Sequence, residues 1–178
     1  FPFKQRSLFL KAAQAVPQKK KMDFLVQKAE ELEVQELWMM ETKRTVVKMK
    51  AEASQRARHR WERIVVEAAK QSTSPVLTEI AGPCRFEEVV KEKLGPSDQP
   101  FLFHPDPQGL PFSKMMEAIL RPPPSLFLFF GPEGGFTEGE VRWAESQGIP
   151  KVFLGDSTLR LETAFLGVLS AIRFLIPN

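Results

Sequence analysis

The chain has 178 residues, of which 43% are hydrophobic, and a formal net charge of +3. This length and apolar content suit one domain of ordinary size with a buried core. No apolar run approaches the length of a bilayer span and no signal peptide is visible, so we expect no membrane association. Cys84 is the single cysteine, and two histidines accompany it. An internal disulfide is therefore excluded, a zinc site is disfavoured, and a cytoplasmic protein without a metal is expected.

Strands and helices are predicted to alternate along most of the chain. Residues 1–9 indicate a strand, and the apolar residues from Met22 recur at helical spacing until a helix ends near Val34. Further short apolar runs predict strands at residues 37–40, 76–80 and 101–103, with helices at 86–94 and 113–120. Such alternation predicts a mostly parallel α/β sheet that is flanked by helices.

A basic segment lies between Thr42 and Arg63, where eight lysines and arginines stand against two glutamates. Such a cluster contacts phosphates without reading sequence. The alternative is the solvated face of a helix, whose buried stripe would then include Trp61 and Val65. The candidate residues for contacts with RNA are Lys43, Arg44, Arg56, Arg60 and Arg63.

The stretch 125–140 joins a buried strand to a glycine loop and a helix. Residues 126–130 contain no polar side chain, which favours a strand covered on both faces. Thr137 and Glu140 have the spacing of a capping box, so a helix is predicted from there to Gly148. The intervening loop contains Gly131, Gly134 and Gly135. The arrangement predicts a ligand loop at the carboxyl end of a strand, or else an ordinary tight turn between a strand and a helix.

A second polar stretch follows a short predicted strand at residues 151–154. Arg160 and Glu162 stand at the start of an apolar helix predicted at residues 165–176. They are either functional groups, or a capping carboxylate and an arginine that extends its charge to solvent. His104, at the end of the strand 101–103, is a minor candidate because lone histidines are more often structural.

Three motifs together resemble one known family. The sequences Gly131-Pro-Glu-Gly-Gly-Phe136, Leu154-Gly155 and Leu159-Arg-Leu-Glu-Thr-Ala164 resemble the RsmE family of 16S ribosomal RNA uracil-N3 methyltransferases. These enzymes belong to the SPOUT superfamily. The resemblance implies a C-terminal deep trefoil knot at about residues 126–176, S-adenosyl-L-methionine as cofactor, ribosomal RNA or the small ribosomal subunit as partner, and a homodimer. Weaker similarity extends toward the N-terminus.

The resemblance also implies a domain division and a set of site residues. Residues 17–178 would form the SPOUT methyltransferase domain, and residues 1–16 would be the end of a PUA-like RNA-binding barrel that is mostly missing. Arg160 would stabilise the uracil anion, and Glu162 or Glu133 would orient it or accept its proton. The implied cofactor pocket consists of Phe103, Gly131, Pro132, Glu133, Gly134, Gly135, Leu154, Gly155, Leu159, Leu161, Thr163 and Ala164.

Two positions depart from the pattern of the family. Glu33 stands where glycine is usual, which is expected to alter a turn, and Ser74 stands where the family usually has arginine. The second departure leaves open a methyltransferase that acts on the ribose 2′-hydroxyl or on transfer RNA. A non-catalytic RNA-binding protein is a further alternative, although binding alone would not require both Arg160 and Glu162. A phosphate-binding nucleotide enzyme is disfavoured because the glycine loop has no lysine.

Overall fold

The computed structural model describes residues 8–18, 21–46, 48, 51–121 and 123–176. Within these residues the strands β1 to β7 are Phe9–Ala15, Glu36–Glu41, Glu79–Arg85, Asp98–Phe103, Leu110–Pro111, Ser125–Phe130 and Lys151–Phe153. The helices α1 to α6 are Lys21–Glu31, Ala51–Ser72, Phe86–Lys93, Phe112–Ala118, Glu138–Ser146 and Leu161–Leu175. The strands form one sheet in the order β3-β2-β1-β6-β4-β7-β5, and every pairing in it is parallel. The predicted parallel α/β fold is confirmed.

The central strand β6 is buried along its whole length, as its unbroken apolar sequence predicted. Leu126, Leu128 and Phe130 face a core that includes residues of α1, α2, α4 and α6. Phe127 and Phe129 point to the opposite face, where they pack against residues of α3 and α5. Helices therefore cover both faces of the sheet, which explains why residues 126–130 carry no polar side chain.

The apolar face of the long helix α2 packs into the core that also contains Leu126, Leu128 and Phe130. Trp61 is 5% exposed, and Val65 and Ala68 are also buried. The indole Nε1 of Trp61 donates a hydrogen bond to Asp23 of α1 at 3.3 Å. The prediction that Trp61 belongs to the core, and is no platform for stacking bases, is confirmed.

Several predicted boundaries differ from the observed elements. The strand expected at residues 76–80 begins only at Glu79. Thr78 instead donates hydrogen bonds from its Oγ1 to the carbonyl of Val34 and from its N–H to the carboxylate of Glu30. The helix expected from Phe165 already begins at Leu161. The two-residue strand β5 was not predicted, since it is too short to show an alternating pattern.

The first strand lies in the middle of the sheet. From the sequence, a strand was expected at residues 1–9 and a domain boundary after residue 16. In the structure, β1 spans Phe9–Ala15 and pairs with both β2 and β6. Residues 9–15 thus belong to the sheet. Residues 1–7 lie outside the described residues, so the expected end of an N-terminal barrel stays a prediction for them.

Among the described helices, none is both long and apolar enough to cross a bilayer.

Candidate functional site

A cleft of about 290 Å³ opens at the carboxyl ends of three neighbouring strands. Strands β6, β4 and β7 are adjacent in the sheet, so the loops that follow them converge at one edge. Ligands of open parallel sheets bind at this edge. The lining residues are Arg44, Phe103, His104, Pro105, Phe130, Gly131, Pro132, Glu133, Gly134, Gly135, Leu154, Gly155, Ser157, Thr158, Leu159, Leu161 and Ala164.

The floor of the cleft is aromatic. The rings of Phe103 and Phe130 stack with centroids 4.8 Å apart, and Phe165 of α6 lies 5.0 Å from Phe130. Phe103 and Phe130 line the cleft, and the fully buried Phe165 packs against the second ring, so the two lining rings form a rigid apolar surface. Such a floor suits a flat, weakly polar ring system.

The glycine loop, residues 131–136, requires glycine at two of its positions. A Cβ added to Gly131 would lie 3.2 Å from backbone atoms of Gly135 and from the ring of Phe136. Gly135 has φ of 68°, which other residues rarely adopt. At Gly134, however, an added Cβ would meet only the side chain of Arg44, at 3.5 Å. The requirement for glycine is therefore steric at Gly131 and conformational at Gly135.

Side chains from two distant segments fix the backbone of this loop. Gln14 is fully buried in β1, and its Nε2 donates to the carbonyl of Gly131 at 3.1 Å. The guanidinium of Arg44 donates through Nη1 to the carbonyls of Gly134 and Phe136 at 2.7 and 3.2 Å. Because these bonds occupy loop carbonyls, they hold the loop in one conformation before any ligand arrives.

Glu140 attaches the same basic segment to the start of α5. Its Oε2 accepts hydrogen bonds from the N–H and Oγ1 of Thr137, both at 2.8 Å. Its Oε1 accepts the backbone N–H of Lys43 at 2.7 Å. The capping box predicted from the sequence is confirmed, and the carboxylate has a second, unpredicted partner.

The predicted catalytic residues lie beside the cleft. Arg160 is exposed and occupies the N-cap position of α6, while Glu162 lies in the first turn of that helix. They alternate with Leu159 and Leu161, which line the cleft. Glu133 belongs to the glycine loop and lines the cleft directly.

Lys21, the first residue of α1, joins the two predicted carboxylates. Its Nζ lies 3.3 Å from Glu133 and 3.1 Å from Glu162. The hydrogen bond to Glu162 is the main cause that raises the pKa of Lys21, and Glu133 adds to it while burial opposes it. No sequence pattern indicated Lys21 as a site residue, because it stands at the start of an ordinary amphipathic helix.

Opposing effects act on the carboxyl of Glu162. Burial is the largest and would raise its pKa. Hydrogen bonds from its own backbone N–H and from Lys21, with the charges of Lys21 and Arg160, outweigh burial and lower the pKa of Glu162 below its usual value. Glu162 is therefore ionised near neutral pH. The bond to its own N–H agrees with the capping alternative, but the pairing with Lys21 goes beyond it.

His104 lines the cleft at the end of β4, where the sequence placed it as a minor candidate. Its Nδ1 is buried and has no hydrogen-bond partner among the described residues. Burial is the main cause that lowers its pKa, so the ring is neutral at pH 7. Ser157 and Thr158 also line the cleft, and no spacing pattern in the sequence indicated them.

The remaining predicted residues divide into two groups. Eleven of the twelve expected pocket residues line the cleft; Thr163 does not, and its side chain is exposed on α6. Of the candidate RNA contacts, Arg44 reaches the cleft, whereas Arg56 and Arg63 are exposed on α2. Arg60 forms an ion pair with Asp23 of α1. The basic residues thus do not form one uniform surface.

No group of three potential metal ligands of the His, Cys, Asp or Glu type occurs in the part of the chain that the structure describes.

Comparisons with known proteins agree on one family. The sequence profile of a family described as an RNA methyltransferase domain matches residues 4–173. The chain is 31% identical over 166 residues to ribosomal RNA small subunit methyltransferase E of Bacillus subtilis, covering 91% of this chain and 64% of that protein. It is 32% identical over 152 residues to the protein of the same name from Aquifex aeolicus, covering 85% of this chain and 62% of the other.

A solved structure has the same fold. Ribosomal RNA small subunit methyltransferase E of Neisseria gonorrhoeae, bound to S-adenosylmethionine, superposes with a TM-score of 0.83 at 27% identity, covering 95% of this chain and 67% of that one. The chain therefore spans less than two thirds of the length of the Bacillus subtilis and Aquifex aeolicus proteins, 64% and 62% respectively.

Proposed function

Because the chain belongs to the RNA methyltransferase domain family, we propose that it transfers a methyl group from S-adenosylmethionine to N3 of a uridine in small-subunit ribosomal RNA. The main observation in support of the proposal is that the glycine loop lines the aromatic cleft and is held in place by hydrogen bonds from Gln14 and Arg44. The names of the relatives supply the substrate class, and the RsmE-like motifs supply the choice of N3. A ribosomal substrate would place the protein in the cytoplasm.

The residues of the cleft fit this cofactor. The ring of Phe103 and the side chains of Leu159 and Leu161 offer apolar contacts to an adenine ring. Backbone groups of Leu154 and Gly155 are available beside them for polar contacts to its edge, and Glu133 offers a negative charge to a cofactor that is cationic. When bound, the cofactor supplies an electrophilic methyl group on a sulfonium.

The charged groups beside the cleft suit proton removal from uracil. N3 is a poor nucleophile while it carries its proton, so its reaction needs a base and a positive charge near the anion. We assign the positive charge to Arg160, which is exposed and makes no ion pair with any described residue. Glu162, ionised by its surroundings, and Glu133 are the two candidate bases.

The C-terminal segment, residues 126–176, is proposed to form the deep trefoil knot of the SPOUT superfamily, and two copies are proposed to form a homodimer. Support for the dimer comes from the end of α6, where Phe174 and Leu175 are 76% and 61% exposed. Large apolar side chains exposed side by side mark an interaction surface.

RNA is proposed to approach across the basic residues. Lys43, Arg56 and Arg63 are exposed and available to phosphates. Arg60 and Arg44 are proposed to contribute charge at the same time as they pair with Asp23 and the glycine loop.

The test is methyl transfer to defined RNAs. The protein is incubated with small-subunit ribosomal RNA or subunits and S-adenosylmethionine carrying a labelled methyl group, and the digested nucleosides are identified by mass spectrometry. We expect N3-methyluridine, and its loss in Arg160→Ala. The control is Arg142→Ala, because Arg142 is an exposed arginine on α5 that pairs only with Glu138 among its described neighbours.

Two results would contradict the proposal. Label in a ribose 2′-O-methyl nucleoside or only in transfer RNA would support the alternative methyltransferases. Binding of RNA without any transfer, in protein that is shown to bind S-adenosylmethionine, would support a non-catalytic protein.

A further inference from the structure

Three charged side chains from three separate elements meet beside the cleft. Lys21 begins α1, Glu133 lies in the glycine loop and Glu162 lies in the first turn of α6. The Nζ of Lys21 contacts both carboxylates, at 3.3 and 3.1 Å, and each of the three side chains is only about a third exposed. The N–H of Gln18 donates to Glu133 from the preceding segment at 3.1 Å. These bonds fix the glycine loop relative to α6.

Without Lys21, the two carboxylates of the cluster would lack the positive charge that contacts both of them. Two carboxylates that share a partly buried site repel one another, and one of them would take up a proton. The groups that face Glu162 are Lys21 from α1, Arg160 at the N-cap of its own helix and, through Lys21, Glu133 from the loop. Of the two cations, only Lys21 also contacts Glu133.

One acceptor of the cluster has no donor. Oε2 of Glu162 is buried and lacks a hydrogen-bond partner among the described residues, while Oε1 binds Lys21. Buried oxygens without donors are rare in folded proteins and call for an explanation, such as a donor that arrives with a ligand. The N3–H of a uracil is a donor of that kind.

We propose that Lys21 is a positioning residue for the methyl transfer, which holds the carboxylates of Glu133 and Glu162 together beside the cleft so that one of them accepts the N3 proton. This inference rests on the proposed function. In the step, the bond from N3 to the methyl carbon forms as the bond from that carbon to sulfur breaks. The N3 proton passes to the carboxylate, and the sulfur keeps the electron pair as a neutral thioether.

The direction of the pH effect follows from the charges. Lys21 is one of the groups that lower the pKa of Glu162 against the effect of burial. Without the ammonium, only the backbone N–H and the charge of Arg160 still oppose burial, so the pKa of Glu162 rises. The carboxylate is then protonated at a higher pH, and the acid limb of the profile of kcat/KM moves to higher pH.

The test compares wild type with Lys21→Met, Lys21→Arg and, as a matched control on the same helix, Lys28→Met. Lys28 pairs with Glu31 and does not line the cleft. Lys21→Met is expected to lower kcat by roughly 10²-fold, the usual effect of a misplaced catalytic group. It is also expected to shift the acid limb upward, whereas Lys21→Arg restores most of the rate and Lys28→Met behaves as wild type.

A titration of the Glu162 carboxyl does not depend on turnover, so it tests the role of Lys21 separately from the proposed function. Carbon-13 NMR of the carboxyl should show a higher pKa for Glu162 in Lys21→Met than in wild type. An unchanged pKa together with an unchanged acid limb would overturn the role of Lys21, even if the wild type transfers methyl groups. A lack of turnover in the wild type, despite the shifted titration, would instead refute the proposed function and with it the catalytic part of this inference. If Lys21→Met fails to fold, Lys21→Arg must retain both the rate and the titration of wild type.

Discussion

Replacement of Gly131 by alanine tests whether the shape of the glycine loop forms the cofactor site. The added Cβ would lie 3.2 Å from the Cα and the carbonyl carbon of Gly135, and equally close to the ring of Phe136. Two of these neighbours are backbone atoms, and the ring belongs to a residue that is 1% exposed. The loop itself must therefore move by a few tenths of an ångström.

The expected cost follows from this crowding. Extra atoms in a well-packed region cost about 1–3 kcal/mol. If the strain falls on the conformation that binds the cofactor, affinity for S-adenosylmethionine decreases roughly 5- to 150-fold. Gly134→Ala is the matched control, because its Cβ would meet only the flexible side chain of Arg44 at 3.5 Å. A change within about 0.5 kcal/mol, or roughly twofold in affinity, is expected there.

Isothermal titration of both variants with S-adenosylmethionine measures this difference, and thermal unfolding shows whether each variant is folded. Equal affinities of wild type and Gly131→Ala, both folded, would refute the steric argument. Equal losses in both variants would show that the loop responds to any side chain, so that the distances around Gly131 do not explain its role.

The remaining predictions concern stability and are measured by urea unfolding. Glu140→Ala should cost about 1.5–3 kcal/mol, because it removes an almost fully buried carboxylate that binds Thr137 and the backbone N–H of Lys43; no loss would show that these bonds are not formed. Trp61→Ala should cost about 3–5 kcal/mol through the cavity that it leaves, and a loss below about 1 kcal/mol would contradict the buried position of the indole. Thr73→Gly should stabilise by about 0.5–1 kcal/mol, since Thr73 has φ of 52° just after α2, whereas Thr73→Ala should give no comparable gain.

The fold was predictable where burial leaves a strong pattern. The apolar run of β6 indicated a strand covered on both faces, and the spacing of Thr137 and Glu140 indicated the start of α5. Both are local signals of packing or capping. The order of the strands is different in kind, because β1 pairs with β6 across more than a hundred residues. No local pattern encodes such a pairing.

Glu33 shows how a departure from the family pattern is accommodated. The residue has φ of 58°, the left-handed conformation that glycine adopts without strain. Its carboxylate accepts a hydrogen bond from Arg173 of α6 at 2.7 Å. Glu33 therefore has the same backbone conformation that glycine could adopt at this turn, so the expected alteration of the turn is not observed. Its side chain adds a contact that glycine would lack.

The members of the site were predictable only through the resemblance to a family. Periodicity and capping rules placed the glycine loop at the end of a strand, but they left an ordinary turn as an equal alternative. Lys21 carried no signal at all, because a lysine at the start of an amphipathic helix is typical of any surface helix. Its partners come from residues 133 and 162, and only the folded sheet brings these elements together.

Two residues of the basic segment also hold the glycine loop and the start of α5 in place. Arg44 and Lys43 belong to a run that predicted contacts with phosphates, yet the first binds two loop carbonyls and the backbone of the second binds Glu140. A guanidinium that donates through Nη1 to the loop cannot move to a distant phosphate without releasing the loop. If RNA competes for Arg44, binding of RNA and binding of the cofactor must therefore influence each other, since any coupling between two sites acts equally in both directions. The exposed arginines of α2 that are not tied to the loop, Arg56 and Arg63, carry no such coupling, so their replacement should weaken RNA binding while leaving cofactor affinity unchanged.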